Sequence, residues 1–299
     1  MELGMIGLGK MGRAMTERLL KGGHQVTAFD RNPKAVKSVS QKGATGVSSL
    51  GQLAKMLKAP RITWVMVPAG KPTEETIQSL KELLSKGDIV IDGGNSYYKD
   101  SVRHASDLTK KGIPFLDCGT SGGIWGLEKG YCLMIGGEKT AFQKVEPILK
   151  TLAPQDGYLH VGPSGAGHFV KMVHNGIEYA LMQSYGEGLA LLHDGPFDIQ
   201  LDQVTHLWNQ GSVIRSWLLE LSERALFKNP DLSGIKGYVE DSGEGRWTVQ
   251  EAVASGIPVS AIALSLFSRF RSQRDDVFSD KVVAALRNEF GGHSVKRKT

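Results

Sequence analysis

A short stretch near the middle of the chain, GAGHFVKMVHNGIEY from Gly165 to Tyr179, carries four different reactive side chains. Its spacing predicts a helix, and at roughly 100° per residue one side of it presents Lys171, His174, Asn175 and Glu178. The apolar positions lie along another side: Val170, Val173, Ile177 and Leu181. An amine, an imidazole and a carboxylate on one helix side are groups that enzymes use in acid–base catalysis. The alternative is an ordinary surface helix with a solvated polar face.

Residues near the N-terminus have the arrangement that binds a dinucleotide. The apolar run Leu3 to Leu8 predicts a strand, the glycine turn GLGKMG follows, and a helical pattern runs from Ala14 to Lys21. Such glycines permit a tight turn and let a pyrophosphate approach the free amides at a helix N-terminus. The predicted cofactor-binding residues of this turn are Gly7, Leu8, Gly9, Lys10, Met11 and Gly12. The less favoured alternative is an α/β turn without a ligand.

The acid that follows the second predicted strand bears on the choice of cofactor. This strand, Gln25 to Phe29, ends in Asp30. A carboxylate there accepts hydrogen bonds from both ribose hydroxyls and repels a 2′-phosphate, so NAD is favoured. Arg31 follows directly, and an arginine in this loop is the usual way to accommodate the 2′-phosphate. NADP therefore remains possible.

The first half of the chain continues as alternating strands and helices. Its apolar runs alternate little, which favours a mostly parallel sheet covered by helices on both faces. Ligands bind beyond the carboxyl ends of such strands, where the sequence places three polar or glycine-rich loops, namely Pro68 to Gly70, Asp92 to Ser96 and Gly119 to Gly130. The second is also good turn chemistry. We expect the third to be a long loop in which Ser121, Gly122 and Gly123 offer a hydroxyl and amides to a carboxylate.

The strand pattern disappears after Ser164, and helical patterns fill the rest of the chain. The predicted fold is an α/β Rossmann-type N-terminal domain with a mostly parallel sheet, residues 1–163, plus an all-α C-terminal domain, residues 164–299. The helices predicted for the second domain cover residues 165–193, 201–209, 213–226, 248–255, 259–272 and 281–290. We expect substrate and nicotinamide to meet in the crevice between the domains.

The charge and the cysteine content limit which ligands and which compartment we expect. The net charge is +5, but the cations are scattered, which argues against nucleic acid and suits a small anionic substrate. The basic end, Lys296 to Lys298, is expected to be a solvated tail. The two cysteines form no CxxC motif, so we expect no metal site, no disulfide framework and a reducing cytoplasm. No apolar segment approaches the roughly 20 residues of a membrane span.

Four motifs together resemble one enzyme family. They are GLGKMG, DGGNSYYKDS, TSGG and GAGHFVKMVHNGIEY, and they are similar to those of the decarboxylating 6-phosphogluconate dehydrogenases. Because it lacks a second helical repeat, the sequence is similar to the short-chain, usually NAD-preferring branch of this family. The resemblance implies oxidation of the 3-hydroxyl of 6-phosphogluconate by hydride transfer, loss of CO2 and formation of ribulose 5-phosphate in the pentose phosphate pathway, without a metal.

The resemblance also implies roles for individual residues. Lys171 is the general base and Glu178 the general acid, and a phosphate contact falls to Tyr179. The substrate-binding residues that it implies are Asn95, Ser121, Gly122, Gly123, His174 and Asn175. Met11, Val67, Pro68 and Asn95 are expected beside the cofactor. Arg287 and His293 are expected to reach the site of a neighbouring subunit, which requires a homodimer or larger homo-oligomer. The alternative for this ending is a frayed helix followed by a Gly-Gly tail.

Some positions depart from the family's pattern. Pro68 stands where the long enzymes carry a lysine, and the loop from Asp241 to Thr248 is shortened. Arg246 matches a basic position there, and Arg269, Arg271 and Arg274 are further candidates for the phosphate. Two other functions stay open. The first is a non-decarboxylating β-hydroxyacid dehydrogenase, disfavoured by His174, Glu178, Arg287 and His293. The second is a non-catalytic NAD-binding sensor, which would have no need for Lys171 and Glu178 on one side of a helix.

Overall fold

The computed structural model describes residues 1–296, except for the side chain of Phe290. The tail predicted at Arg297 and Lys298 lies outside the described residues. The chain divides into two compact units, Met1–His174 and Asn175–Thr299. The division falls within one long helix that begins at Ala166. The domain boundary expected at residues 163 and 164 stays a prediction.

The first unit is built on an eight-stranded sheet, as far as residues 1–296 show. In chain order its strands are β1 Glu2–Ile6, β2 Gln25–Phe29, β3 Thr45–Gly46, β4 Ile62–Val65, β5 Ile89–Asp92, β6 Phe115–Ser121, β7 Cys132–Gly137 and β8 Tyr158–Gly162. Their order in the sheet is β3-β2-β1-β4-β5-β6-β7-β8. Neighbouring strands run parallel except for the antiparallel pair β6 and β7. The predicted mostly parallel sheet is confirmed.

Helices cover both faces of this sheet. They are α1 Lys10–Lys21, α2 Pro33–Ser40, α3 Leu50–Met56, α4 Lys71–Leu83, α5 Tyr98–Thr109, α6 Gly126–Lys129 and α7 Lys139–Leu152. Successive strand residues enter opposite cores: Met5 and Trp64 pack in one cluster, whereas Ile6 and Val65 pack in the other. Both faces are therefore buried, which explains why the strand sequences are apolar without alternation.

The helices α2 and α3 and the short strand β3 were not predicted, and the region from Gly119 to Gly130 differs from its prediction. The sequence signals for α2 and α3 are their caps, since Asn32 accepts a hydrogen bond from the Lys34 amide at 3.0 Å and Ser49 accepts one from Gln52 at 3.1 Å. The long loop expected from Gly119 to Gly130 is wrong. β6 continues to Ser121 because it pairs with β7 up to Cys132, and a 3-10 turn and α6 fill the remainder.

The regular secondary structure described in the second unit is all helical, as predicted. Its helices are α8 Ala166–His193, shared with the first unit, α9 Leu201–Asn209, α10 Trp217–Lys228, α11 Glu244–Ser255, α12 Ser260–Ser272 and α13 Phe278–Gly291. The 28 residues of α8 agree closely with the predicted helix. α10 begins later than predicted because Ser216 caps it, with its Oγ accepting the Leu219 amide at 3.1 Å. α11 begins earlier, directly after Gly243, whose φ is +109°.

Candidate active site

The glycine turn between β1 and α1 has the geometry of a pyrophosphate cradle. Gly7 has φ +92°, and a Cβ there would lie 2.4 Å from the Met66 carbonyl oxygen. A Cβ at Gly12 would lie 2.0 Å from the Gly7 oxygen, so the helix approaches the turn as closely as its backbone permits. No side chain caps α1 at Gly9, and no acid lies in its first turn. The free amides at this helix start can therefore receive an anion.

The side chains of this turn differ in exposure. Leu8 is buried, Met11 is partly buried and Lys10 is exposed. A Cβ at Gly9 would meet nothing within 4 Å, so the space beyond it is open. The residues of the predicted turn thus fit a dinucleotide.

Asp30 is held by the backbone on both sides of it. Its Oδ2 accepts the Leu8 amide at 2.6 Å and its Oδ1 accepts the Asn32 amide at 2.7 Å. Each carboxylate oxygen has a second lone pair, so the half-buried group can still accept bonds from a ribose diol. Arg31 donates instead to Glu75 at 3.0 Å. The Asp30 carboxylate therefore lies where the ribose diol of a dinucleotide is expected to bind. The neighbouring Arg31 is directed to Glu75.

The loops after β4 and β5 carry the other predicted cofactor residues. Val67 is half-buried, and Pro68 and Asn95 are exposed. Asp92, fully buried at the end of β5, accepts the Gly94 amide at 3.0 Å and the Ser96 hydroxyl at 2.7 Å. It thereby fixes the loop that presents Asn95. Sequence reasoning did not assign this role to Asp92, although an acid ending an apolar strand is a signal for it.

A second buried acid positions the start of α8. Asp117 lies within β6 and is fully buried. Its Oδ1 accepts the Gly165 amide at 2.6 Å and its Oδ2 accepts the His168 amide at 2.9 Å. These amides belong to the otherwise unsatisfied N-terminal turn of the helix, and a carboxylate also favours the positive end of the helix dipole. Asp117 was not predicted as a functional residue.

Lys171 lies one turn further along α8 and packs on β6. Its exposed fraction is 7%, and a Cβ at Gly119 would lie 2.4 Å from the Lys171 Cβ. Lys171 Nζ lies 3.3 Å from His174 Nδ1, and His174 Nε2 lies 3.4 Å from Ser121 Oγ. When Lys171 donates to Nδ1, Nε2 carries the ring proton and donates to Ser121. The structure thus brings together the predicted amine, imidazole and hydroxyl.

The two glycines after Ser121 have left-handed backbone conformations. Gly122 has φ +127° and Gly123 has φ +53°, and no side chain caps the 3-10 turn that Gly123 begins. A Cβ at Gly123 would meet nothing within 4 Å. Uncapped backbone amides at a glycine turn of this kind are suited to an anionic oxygen.

The remaining predicted residues of α8 lie in the second unit. Asn175 and Tyr179 are buried, and Glu178 is half-buried. Tyr179 Oη lies 3.3 Å from both Asp241 Oδ1 and Ser242 Oγ. Burial is the main cause that raises the pKa of the Tyr179 hydroxyl, so the hydroxyl stays a donor at neutral pH.

The structure distinguishes three of the four candidate arginines, and the side chain of the fourth, Arg274, is exposed. The Arg269 guanidinium stacks on the Tyr179 ring, with its Cζ 3.3 Å from the ring centroid. Arg246 donates through Nε and Nη2 to Asp241 Oδ2 at 3.0 and 2.8 Å. Arg271 instead pairs with Asp280 at 3.0 Å and donates to the Arg274 carbonyl at 2.9 Å. Arg246 and Arg269 are thus grouped around Tyr179, and Arg271 is directed elsewhere.

Arg287 and His293 lie at the end of α13. Both are exposed, and the His293 amide donates to the Arg287 carbonyl at 3.4 Å. Gly292, with φ +64°, ends the helix and donates to the Asn288 carbonyl at 2.8 Å. The segment is therefore the end of α13, closed by Gly292, and a role of Arg287 and His293 at a neighbouring subunit stays a prediction.

The described residues contain neither a metal-binding cluster nor a membrane-spanning helix. No group of three or more His, Cys, Asp or Glu side chains among residues 1–296 is placed to hold a metal ion. Over the same residues, no helix has the length and apolar character required to span a bilayer.

Comparisons with known proteins agree with these features. Residues 2–162 match the family model described as the NAD binding domain of 6-phosphogluconate dehydrogenase, and residues 167–285 match that enzyme's C-terminal domain. Bacillus subtilis YqeC, a provisionally assigned 6-phosphogluconate dehydrogenase, is 47% identical over 100% of both chains. An NAD(+)-dependent, decarboxylating 6-phosphogluconate dehydrogenase of Haloferax volcanii is 46% identical, covering 100% of this chain and 99% of the relative.

A solved structure gives the same result. The 6-phosphogluconate dehydrogenase of Plasmodium falciparum superposes with a TM-score of 0.85 and 30% identity. The match covers 100% of this chain but 66% of that longer chain. The protein belongs to the 6-phosphogluconate dehydrogenase family.

Proposed function

We propose that this protein catalyses the oxidative decarboxylation of 6-phosphogluconate to ribulose 5-phosphate and CO2, with reduction of NAD+, as a step of the pentose phosphate pathway. The observation that carries the proposal is the buried Lys171 amine, joined through His174 to Ser121. A protein that only sensed NAD would have no use for this group. The full-length similarity to an NAD(+)-dependent, decarboxylating relative supports the same reaction.

Lys171 is proposed to accept the proton of the substrate's 3-hydroxyl. To do so it must lose a proton, and the contact with His174 Nδ1 offers an acceptor 3.3 Å from Nζ. NAD+, when bound at the glycine turn, would accept the hydride from the same carbon. Glu178, seven residues along the same helix, is proposed to protonate C1 after CO2 leaves. Lys171 and Glu178 would thus separate the base and acid roles between two groups.

The ends of the substrate are proposed to bind at different residues. The Ser121 hydroxyl and the amides of Gly122 and Gly123 suit the carboxylate end. Asn95, His174 and Asn175 are assigned to the hydroxyls, as the resemblance implies.

The phosphate is assigned to Tyr179, Arg269 and Arg246. The Tyr179 hydroxyl is a donor, the Arg269 guanidinium stacks on the Tyr179 ring, and Arg246 is linked to the hydroxyl through Asp241. Charge-assisted bonds from arginine to phosphate are among the stronger hydrogen bonds in proteins.

We propose that the enzyme is a homodimer or a larger homo-oligomer. α13 exposes four apolar side chains, Phe278 at 77%, Val282 at 39%, Val283 at 58% and Leu286 at 57%. An apolar helix surface of this kind is suited to burial against a second copy. Such contact would carry Arg287 and His293 to the partner's site. The two free cysteines suit a reducing cytoplasm, which we propose as its location.

One assay tests the reaction. NADH formation and CO2 release are followed with 6-phosphogluconate and with a panel of unphosphorylated hydroxy acids. We expect both products in equal amounts with 6-phosphogluconate only. Reduction without CO2 would favour a non-decarboxylating β-hydroxyacid dehydrogenase, and no turnover with any acid would favour a non-catalytic NAD-binding protein.

A further inference from the structure

An ion pair next to Asp30 has no part in the proposed reaction. Arg31 Nη2 donates to Glu75 Oε2 at 3.0 Å, and Lys71 Nζ lies 3.8 Å from Glu75 Oε1. Glu75 belongs to the early part of α4, whereas Arg31 follows β2. Both oxygens of one carboxylate therefore face cations, and the Arg31 cation comes from a different element.

Because Arg31 lies next to Asp30, its ion pair with Glu75 affects which cofactor can bind. Asp30, its neighbour, is fixed by two backbone amides at the strand end that binds the ribose diol. A 2′-phosphate on that ribose would require a cation at the same place, and Arg31 is the adjacent one. Its guanidinium is engaged with a carboxylate 44 residues later in the chain. A phosphate could recruit Arg31 only by breaking this contact.

We propose that Glu75 is a specificity-determining residue that disfavours NADP by holding Arg31. This rests on the proposed NAD-dependent function. The proposal accounts for how an arginine at this position coexists with a preference for NAD. The Arg31 and Glu75 side chains are 77% and 46% exposed, so water screens their attraction. Exposed pairs of this kind change an equilibrium by about two- to fivefold, and that factor is the expected penalty against NADP.

Binding measurements isolate this effect from catalysis. Isothermal titration calorimetry at low ionic strength would give the affinities of the full-length protein for NAD+ and NADP+, and for 2′,5′-ADP against 5′-AMP. The variants are Glu75→Gln, Arg31→Ala and the double variant. The control is Glu82→Gln, which removes the same charge from the same helix. Glu82 pairs with Lys111 at 2.8 Å instead of with Arg31.

The expected result is a two- to fivefold gain in affinity for NADP+ and 2′,5′-ADP in Glu75→Gln. The gain should disappear in the double variant, and Glu82→Gln should show none. The proposal is overturned if Glu75→Gln gains no more than Glu82→Gln, or if the gain persists without Arg31. Absence of binding of either dinucleotide would overturn it together with NAD-dependence. Because binding is read without substrate, a failure to turn over 6-phosphogluconate is a separate outcome.

Discussion

Replacing Asp117 by asparagine should impair turnover more than its effect on stability would suggest. The carboxylate accepts the Gly165 and His168 amides at 2.6 and 2.9 Å from a fully buried position. An asparagine side chain has one acceptor oxygen, so one buried N–H loses its partner and faces an NH2 group. Leaving a buried donor unsatisfied costs about 1–3 kcal/mol. For a protein of this size the variant should melt roughly 5 °C lower.

The effect on turnover follows from the place of Lys171. It lies three residues after His168, so a shift of the helix start moves its amine. A misplacement of about 1 Å can cost roughly 100-fold in rate. We expect kcat to fall about 10- to 100-fold. The affinity for NAD+ should be unchanged, because among residues 1–296 no hydrogen bond joins the Asp117 side chain to the β1–α1 turn.

A matched control is available in the same unit. Asp88 is buried and also accepts two backbone amides, from Arg61 at 2.6 Å and Ser85 at 2.8 Å. It precedes β5 and so lies at the amino ends of the strands, opposite the site. Asp88 also accepts a hydrogen bond from the Arg61 guanidinium at 3.3 Å, so Asp88→Asn should lose at least as much melting temperature and keep its kcat. Steady-state kinetics and thermal melts of both variants check this. Equal losses of kcat in the two variants, or full activity in Asp117→Asn, would refute the positioning role.

Three further predictions concern single residues. Lys171→Ala should nearly abolish turnover while NAD+ binding measured by calorimetry is retained; substantial activity would remove Lys171 from the role of base. Asp30→Ala should reduce the ratio of NAD+ to NADP+ affinity, and an unchanged ratio would assign the preference to another residue. The hydrogen bond from Arg103 lowers the pKa of Glu74 to about 2 from 4.5. Its stabilising effect is therefore present above pH 4.5 and is lost as the pH falls towards 2. Urea unfolding at both ends of that range should show a smaller pH dependence for Glu74→Gln than for the unchanged protein, and equal dependence would contradict this assignment.

Local patterns predicted the elements to which the chemistry is assigned. The spacing of Lys171 and Glu178 identified α8, and the glycines before α1 identified the cofactor turn, because both signals depend on residues close in sequence. The extension of β6 to Ser121 depends instead on pairing with β7, which a local pattern does not contain. For this reason the glycines from Gly119 to Gly130 indicate a loop when the sequence is considered alone.

The choice among the arginines shows the same limit. Arg269 and Arg271 are two residues apart on α12, so their side chains point to nearly opposite sides of the helix. Only the packing of α12 decides which of them meets Tyr179. The structure selects Arg269, which stacks on the ring, while Arg271 pairs with Asp280. Sequence alone could name both but could not rank them.

Three aspartates in the strands or directly after them use the same interaction for different purposes. Asp30, Asp92 and Asp117 each engage two groups of a following or neighbouring segment, with at least one backbone amide among them. Asp92 and Asp117 are fully buried, so their carboxylates are reserved for holding the Asn95 loop and α8 in place. Asp30 is only half-buried and keeps lone pairs for a ligand. Burial thus distinguishes Asp30, the acid predicted to bind a ligand, from the two acids that position the backbone. It follows that substituting Asp30 should change which cofactor binds, whereas substituting Asp92 or Asp117 should change how well a bound substrate reacts.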